Sequence, residues 1–115
     1  RLPDDYVNAT SLRLELYQRL GEAFTWDEVD AIMAEVKDRF GPPPEPVLWL
    51  YHLTRIRVFA ARNQILAVKI NNLSLLAEGR EKGYAVTRKM LLNPASSPED
   101  LEIKVLAALK KSFSL

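Results

Sequence analysis

Residues 35–46, Glu-Val-Lys-Asp-Arg-Phe-Gly-Pro-Pro-Pro-Glu-Pro, divide the chain into its structural parts. Before them, apolar residues recur at the spacing of one buried helical stripe, at Val29, Ile32, Met33, Val36 and Phe40. Gly41 can adopt the left-handed conformation that ends a helix, and the three prolines after it cannot continue one because each lacks an N–H group. Pro46 stands where proline is best tolerated, in the first turn of a new helix. The stretch therefore predicts a helix, a stiff corner and a second helix.

Length and composition bound the possible folds. With 115 residues and 48% hydrophobic content, the chain is long enough for one domain with its own core, so we expect a single domain over residues 1–115. Pro3 and the two aspartates that follow it favour an extended entry, which makes residues 1–9 a predicted tether. The chain begins at Arg1 and not at methionine, which favours a piece of a longer protein.

The absence of cysteine excludes disulfides and any cysteine-based metal site or nucleophile, and it is typical of a reducing compartment. No run of about 18 apolar residues occurs, so no membrane span is expected. No charged segment precedes a short apolar one, so no signal peptide is expected either. These features together predict a cytoplasmic location and no membrane partner.

Charge is distributed unevenly along the chain. Residues 1–46 carry 5 Lys/Arg and 10 Asp/Glu, whereas residues 47–115 carry 11 Lys/Arg and 5 Asp/Glu. An acidic first part and a basic second part indicate either two surfaces with different partners or two halves that face each other, and the sequence leaves both open.

Four helices are predicted from apolar periodicity and from their start and stop signals. They are residues 10–20, ended by Gly21; residues 26–40, begun by a capping box of Thr25 and Glu28; residues 46–63; and residues 98–111, capped by Ser97. In the capping box, the Glu28 side chain is expected to bond the Thr25 amide. The third helix is apolar on two flanks, with Val47, Leu50, Tyr51 and Val58 on one and Trp49, Leu53 and Ile56 on the other. We therefore expect it to be central, covered on two sides.

Between the third and fourth helices the apolar period changes to two, which predicts strands over residues 65–70, 73–77 and 84–90. Turns are predicted at Asn71-Asn72, in the positive-φ conformation of a tight hairpin, and at residues 79–83. The predicted fold class is α+β, with four helices packed with a small three-stranded antiparallel sheet.

Acidic residues gather on the side of the second helix that faces away from its apolar stripe. They are Asp27, Glu28, Glu35 and Asp38, with only Ala31 between them on a helical wheel. Carboxylates a turn apart on a rigid helix suit fork-like pairing with arginines of a partner. An ordinary solvated face has the same pattern, so both interpretations stand on the sequence.

Basic residues of the second part offer a different function, nucleic-acid binding. The candidates are Arg55, Arg57 and Arg62 on the third helix and Arg80, Lys82, Arg88 and Lys89 on the strands. Arginines that snorkel from a packed helix would give the same pattern, and the sequence pI of about 8.2 does not decide between them.

Catalysis within these residues is not expected. Gly41 precedes three prolines, which offer no free amides to cradle a phosphate, so the domain should neither bind nor hydrolyse ATP. The single histidine, His52, lies in an apolar helix without a supporting acid pair in the sequence and is interpreted as a core or boundary residue. We expect no metal, no cofactor and no enzyme activity.

Three motifs in register carry a resemblance to a known family. They are Leu-Pro-Asp-Asp-Tyr-Val at 2–7, Arg-Leu-Glu-Leu-Tyr-Gln-Arg-Leu at 13–20, and Asp-Arg-Phe-Gly-Pro-Pro-Pro at 38–44. With them, the chain resembles the C-terminal domain of the bacterial transcription-repair coupling factor family. The second half matches in outline, at Leu53, at residues 55–57 and around Gly83. The region after Leu92 is brief and the tail is short, which departs from the longer forms of the family.

The resemblance implies a non-catalytic module at the end of an ATP-driven DNA translocase that displaces stalled RNA polymerase and recruits excision-repair proteins. It implies docking on the UvrB-like module of the same chain, which masks the surface that recruits UvrA and restrains the translocase. DNA would be bound through the translocase module, which residues 1–9 would join to this domain. In that family the acidic residues of the Asp-Arg-Phe-Gly helix face the docking partner, and Glu35 and Asp38 occupy those positions here.

Overall fold

The computed structural model describes residues 10–115, and the predicted tether lies outside the described residues. Within them the chain forms four helices and three strands: α1 Thr10–Glu22, α2 Trp26–Phe40, α3 Glu45–Arg62, β1 Ile65–Ile70, β2 Ser74–Glu81, β3 Tyr84–Leu91 and α4 Pro98–Ser112. The strands form one antiparallel sheet in the order β1-β2-β3. The predicted fold class is confirmed.

The ends of α2 are defined by the residues that the sequence indicates. Thr25 caps its start, because the Thr25 hydroxyl oxygen accepts a hydrogen bond from the Glu28 amide at 3.1 Å. The Glu28 carboxylate accepts from the Thr25 hydroxyl and from the Phe24 amide, one residue earlier than predicted. Gly41 has a φ of 85°, and its amide donates to the Lys37 carbonyl at 2.9 Å. Helix α2 is thus held at both ends.

Helix α3 separates two apolar cores. On one side Val47 and Val58 pack with α1 and α2, in a core that includes Leu20 and Val29. On the other side α3 packs with the sheet and α4, in a core that comprises Ile56, Ala60, Ile65, Leu75, Ala77, Leu92, Leu101, Val105, Leu109 and Phe113. The predicted central position of α3, covered on two sides, is confirmed. Leu53 differs, because it is 44% exposed and borders a shallow groove beside β1.

Both predicted hairpin turns are wrong in detail. Strand β2 continues through Gly79, and the second turn is the pair Lys82-Gly83, with φ of 52° and 83°. Positive φ at both positions matches the twist of the flanking strands. Gly79 instead permits close packing, since a Cβ there would lie 3.0 Å from the Gln64 carbonyl oxygen and 3.1 Å from the Phe113 ring. The first turn spans Asn71 to Leu73, and neither asparagine has the predicted positive φ.

Helix α1 continues past Gly21, the predicted stop, to Glu22. A Cβ at Gly21 would meet nothing, and no left-handed conformation is present there, so the glycine is simply an interior helical residue. The end of α1 is instead satisfied from α3. Arg57 Nη2 donates to the carbonyl of Leu20 at 2.8 Å and to that of Ala23 at 3.2 Å.

None of the helices in residues 10–115 is both long enough and apolar enough to cross a bilayer.

Candidate interaction site

The acidic side of α2 is exposed, as the sequence predicts. Asp27, Glu28, Glu35 and Asp38 all lie on the surface, whereas Val29, Ile32, Met33 and Val36 are buried. The first and last of the four acids are 11 residues apart, which spans about 16 Å on an α-helix. We call these four side chains the acidic face of α2. Whether a partner binds there stays a prediction.

Two members of the acidic face already have partners within the domain. The Glu28 carboxylate is used to cap α2. The Glu35 carboxylate accepts two hydrogen bonds from Arg19 of α1, at 2.5 Å and 3.3 Å. This hydrogen bonding lowers the pKa of the Glu35 carboxyl, with a further contribution from the charges of Arg19 and Arg39. Glu35 therefore links α1 to α2 while its side chain stays 44% exposed.

Asp38 lies on the last turn of α2, one turn after Glu35 and immediately before the Gly41 corner. Within residues 10–115 its carboxylate makes no ion pair or hydrogen bond. The carbonyl end of a helix has partial negative charge and disfavours a carboxylate. Asp38 is thus a surface acid at a position that the helix dipole disfavours, although Lys37 and Arg39 lie on the same turn.

A polar network on the other flank of α2 was not predicted. Its hub is Arg55, whose Nε donates to Glu102 of α4 at 2.9 and 3.0 Å and whose Nη1 donates to Asp30 of α2 at 2.9 Å. The guanidinium also lies 4.1 Å from the centre of the Trp26 ring. His52 Nδ1 is 2.7 Å from Glu102 Oε1. Arg55 therefore joins three helices through buried or half-buried groups.

The charge states in this network follow from its contacts. Burial disfavours the charged guanidinium of Arg55, but the hydrogen bonds and charge of Glu102 outweigh burial and raise its pKa. Burial and a 2.6 Å hydrogen bond from the Tyr51 hydroxyl to Asp30 raise the pKa of Tyr51 to about 12. A sequence signal for the network existed, because Glu102 falls within the apolar stripe of α4, where a charge requires a buried partner.

The pKa of Tyr51 allows a spectroscopic test of the network. Because the folded-state pKa exceeds the unfolded value of about 10, the contribution of the protonated hydroxyl to stability is complete below pH 10 and is lost as the pH rises toward 12. A phenolate absorbance titration should show a transition near pH 12 that Tyr51→Phe removes and Asp30→Asn shifts to lower pH. A wild-type titration that is complete near pH 10 would contradict the Tyr51–Asp30 hydrogen bond.

The basic candidates fall into two groups. Arg55, Arg57 and Arg88 are used inside the domain: Arg55 in the network, Arg57 at the end of α1, and Arg88 with Glu81 and the Ser112 carbonyl. The others, Arg62, Arg80, Lys82 and Lys89, are exposed. Arg80 donates to the Gly83 carbonyl at 3.0 Å across the β2–β3 turn. The structure therefore does not gather all of the predicted nucleic-acid residues on one face: Arg62 borders the groove beside Trp26, whereas Arg80, Lys82 and Lys89 belong to the β2–β3 hairpin.

One groove brings together residues from both predicted sets. It encloses about 480 Å³ between the start of α2, the end of α3 and the end of α4, and Asp27, Arg62 and Lys110 line its rim. Its wall is the stacked ring pair of Trp26 and Phe59, with centroids 6.2 Å apart. In the part of the chain that the structure describes, no group of three or more His, Cys, Asp or Glu side chains is arranged to hold a metal ion.

Comparisons with known proteins give the family. The sequence matches the model of the TRCF domain over residues 1–88. The transcription-repair-coupling factor of Escherichia coli K12 is 35% identical over 96 residues, and that of Haemophilus influenzae Rd is 37% identical over 94 residues. These alignments cover 82% and 81% of this chain and 8% of each relative. The Helicobacter pylori factor is 28% identical over 115 residues, which are 11% of its length. The chain thus spans about a tenth of these relatives.

A solved structure has a similar fold. A crystal structure of the C-terminal domain of transcription-repair coupling factor superposes with a TM-score of 0.67, covering 96% of this chain and 88% of that chain. Identity in this superposition is 15%, so it establishes the fold alone. The family model, however, matches more than half of the sequence, and the E. coli relative matches four fifths of it. The chain therefore belongs to the TRCF domain family, the family of the C-terminal domain of transcription-repair coupling factor.

Proposed function

We propose that this chain is a non-catalytic regulatory domain of a transcription-repair coupling factor, an ATP-driven DNA translocase that removes stalled RNA polymerase. In this proposal the acidic face of α2 docks on the UvrB-like module of the same protein. Docking masks the surface that recruits UvrA and restrains the translocase until polymerase is engaged.

The observation that carries the proposal is the position of Asp38. A carboxylate on the last turn of a helix opposes the helix dipole, and Asp38 has no compensating ion pair within residues 10–115. Residues that break a local rule without a compensating contact are expected at functional positions. An arginine or lysine of a docking partner would supply the missing contact.

The rigidity of α2 supports the same interpretation. Its start is capped by Thr25, its end is set by Gly41, and its apolar stripe is buried against α1 and α3. The backbone of such a helix is already fixed, so only the carboxylate side chains lose entropy on binding, which favours paired recognition of cations. The acidic face is therefore preorganised for a partner that carries arginines at matching spacing.

A weak contact would be enough for regulation. A tethered domain meets its docking site at an effective concentration of the order of mM, so a contact with a dissociation constant of roughly 10 μM would keep about 99% of molecules closed. Masking of this extent would reduce the apparent affinity for UvrA by about a hundredfold.

Charge reversal of Asp38 tests the proposal. In the full-length protein we expect Asp38→Lys to raise the affinity for UvrA. The increase should be about tenfold for each 1.4 kcal/mol of docking energy lost. It cannot exceed about a hundredfold, the value reached when every molecule is open. In the isolated chain the same change should leave the thermal midpoint unchanged or slightly higher, because a cation suits the end of α2. UvrA binding is measured by surface plasmon resonance and the midpoint by circular dichroism.

Glu22→Lys is the matched control, because Glu22 is an exposed acid at the end of α1 and lies outside the acidic face. It introduces the same charge change at an equivalent helix position. We expect it to leave UvrA binding at the wild-type level. If Asp38→Lys behaves like Glu22→Lys while the domain stays folded, the acidic face of α2 is a solvated surface and docking lies elsewhere.

A further inference from the structure

Among residues 10–115, no helix covers one face of the sheet. On β2, Leu75, Ala77 and Gly79 are buried toward the second core, and the alternate side chains are directed outward. The same alternation makes Lys69 of β1 and Thr87 and Lys89 of β3 outward-facing and exposed. The outward positions are Ala67 and Lys69 on β1, Ser74, Leu76, Glu78 and Arg80 on β2, and Ala85, Thr87, Lys89 and the exposed Leu91 on β3.

Strand pairing arranges the cations of this face. Lys69 and Lys89 both pair with Leu76, one from each neighbouring strand, so they lie in one row and about 10 Å apart, two strand spacings. Arg80 lies further along β2, and Lys82 is at the adjoining turn. We call Lys69, Arg80, Lys82 and Lys89 the basic sheet face. Within residues 10–115 none of the four is in a salt bridge, and Glu78 is the one acid among them.

The acidic and basic parts of the chain meet in the Arg55–Asp30 ion pair, but the acidic face of α2 and the basic sheet face lie apart. Helix α2 packs on the side of α3 that bears Val47 and Val58, whereas the sheet packs on the side that bears Ile56 and Ala60. The acidic face of α2 and the basic sheet face are therefore on separate surfaces and do not neutralise each other. Two such surfaces suit two partners of opposite charge.

We infer that the basic sheet face binds the sugar-phosphate backbone of duplex DNA without reading its sequence. Three of its four cations are lysines, which are depleted in protein–protein interfaces and act as point charges for phosphates. Tyr84, beside Lys82, is the one aromatic side chain in the three strands, and a single exposed ring offers little stacking to unpaired bases, so single strands are disfavoured. This inference is independent of the docking proposed for α2.

The salt dependence of binding tests the inference. Fluorescence anisotropy of the 115-residue chain with a labelled duplex should give a slope of log K against log salt near −3.6 for four phosphate contacts, about a 150-fold loss of affinity for a fourfold rise in salt. The double variant Lys69→Ala/Lys89→Ala should reduce the slope to about −1.8 and that loss to about 12-fold. Circular dichroism of both proteins verifies that the fold is retained.

The variant Arg62→Ala/Lys110→Ala is the matched control, because it removes the same charge from the groove beside Trp26. We expect it to change the slope by much less than the sheet variant does. Equal slopes for the two variants would show that net charge alone is responsible and would overturn the inference. Absence of duplex binding at low salt, or tighter binding of a single strand of the same length, would overturn it as well. If Lys69→Ala/Lys89→Ala fails to fold, the same comparison is made with Lys82→Ala/Lys89→Ala.

Discussion

Replacing Arg55 with leucine is expected to lower the free energy of unfolding by about 3–5 kcal/mol, the range found when one partner of a buried ion pair is removed. Glu102 is 7% exposed and would keep only His52 as a partner. Asp30 would lose its guanidinium donor, and the Trp26 ring would lose the cation above it. For a domain whose total stability is of the order of 5–15 kcal/mol, such a loss is large.

Urea denaturation followed by circular dichroism measures this effect. Arg62→Leu is the control, since Arg62 is an exposed arginine on the same helix and its replacement should change stability by about 0.5 kcal/mol or less. The double variant Arg55→Leu/Glu102→Leu removes both buried charges and should be more stable than Arg55→Leu alone. A loss under about 1 kcal/mol for Arg55→Leu would mean that the ion pair behaves as a surface pair.

Replacing Leu109 with alanine is the second large effect, with an expected loss of about 2–5 kcal/mol. Leu109 is fully buried in the core shared by α3, α4 and the sheet. Truncation would leave a cavity beside the equally buried Leu75 and Val105. Leu91→Ala is the matched control, because Leu91 is 89% exposed and its truncation leaves no cavity.

The fluorescence of the two tryptophans shows whether the loss of stability caused by Leu109→Ala affects both cores of the domain. Trp26 packs against the core that contains α1 and α2, and Trp49 packs against the core that contains the sheet. Because both cores share α3, we expect Leu109→Ala to shift the fluorescence transition of either single-tryptophan protein together with its circular dichroism transition. Separate transitions, with Trp26 unaffected, would show that the cores unfold independently.

The parts of the fold that the sequence predicted well are those determined by neighbours along the chain. The stripe and cap of α2 depend on residues three or four apart, and so does the start of α4 at Ser97 and Pro98. The two-sided packing of α3 could be predicted because the apolar residues of both flanks belong to the same helix. For the same reason the exposure of Glu35 and Asp38 was predictable from a helical wheel.

The wrong predictions concern features that are determined by residues far away in the sequence. Gly79 has the residue type of a turn, but its role comes from Gln64, in the turn between α3 and β1, and from Phe113, at the end of α4. Gly21 resembles a helix stop, yet Arg57, 36 positions later, contacts the carbonyls near the end of α1. The contact between His52 and Glu102 was not predicted, because the two residues are 50 positions apart in the sequence. Of the basic candidates, Arg55 and Arg57 are occupied by such distant acceptors, which no local pattern indicates.

The Arg19–Glu35 pair has a consequence for how firmly any partner could hold this domain. A cation that reaches Glu35 meets a carboxylate that already accepts two hydrogen bonds. An incoming cation would either share the carboxylate with Arg19 or displace it, and on displacement the energy gained is only the difference between the two pairs. Displacement also releases Arg19 and with it one of the links between α1 and α2. A contact of this kind discriminates between partner geometries while remaining easy to reverse.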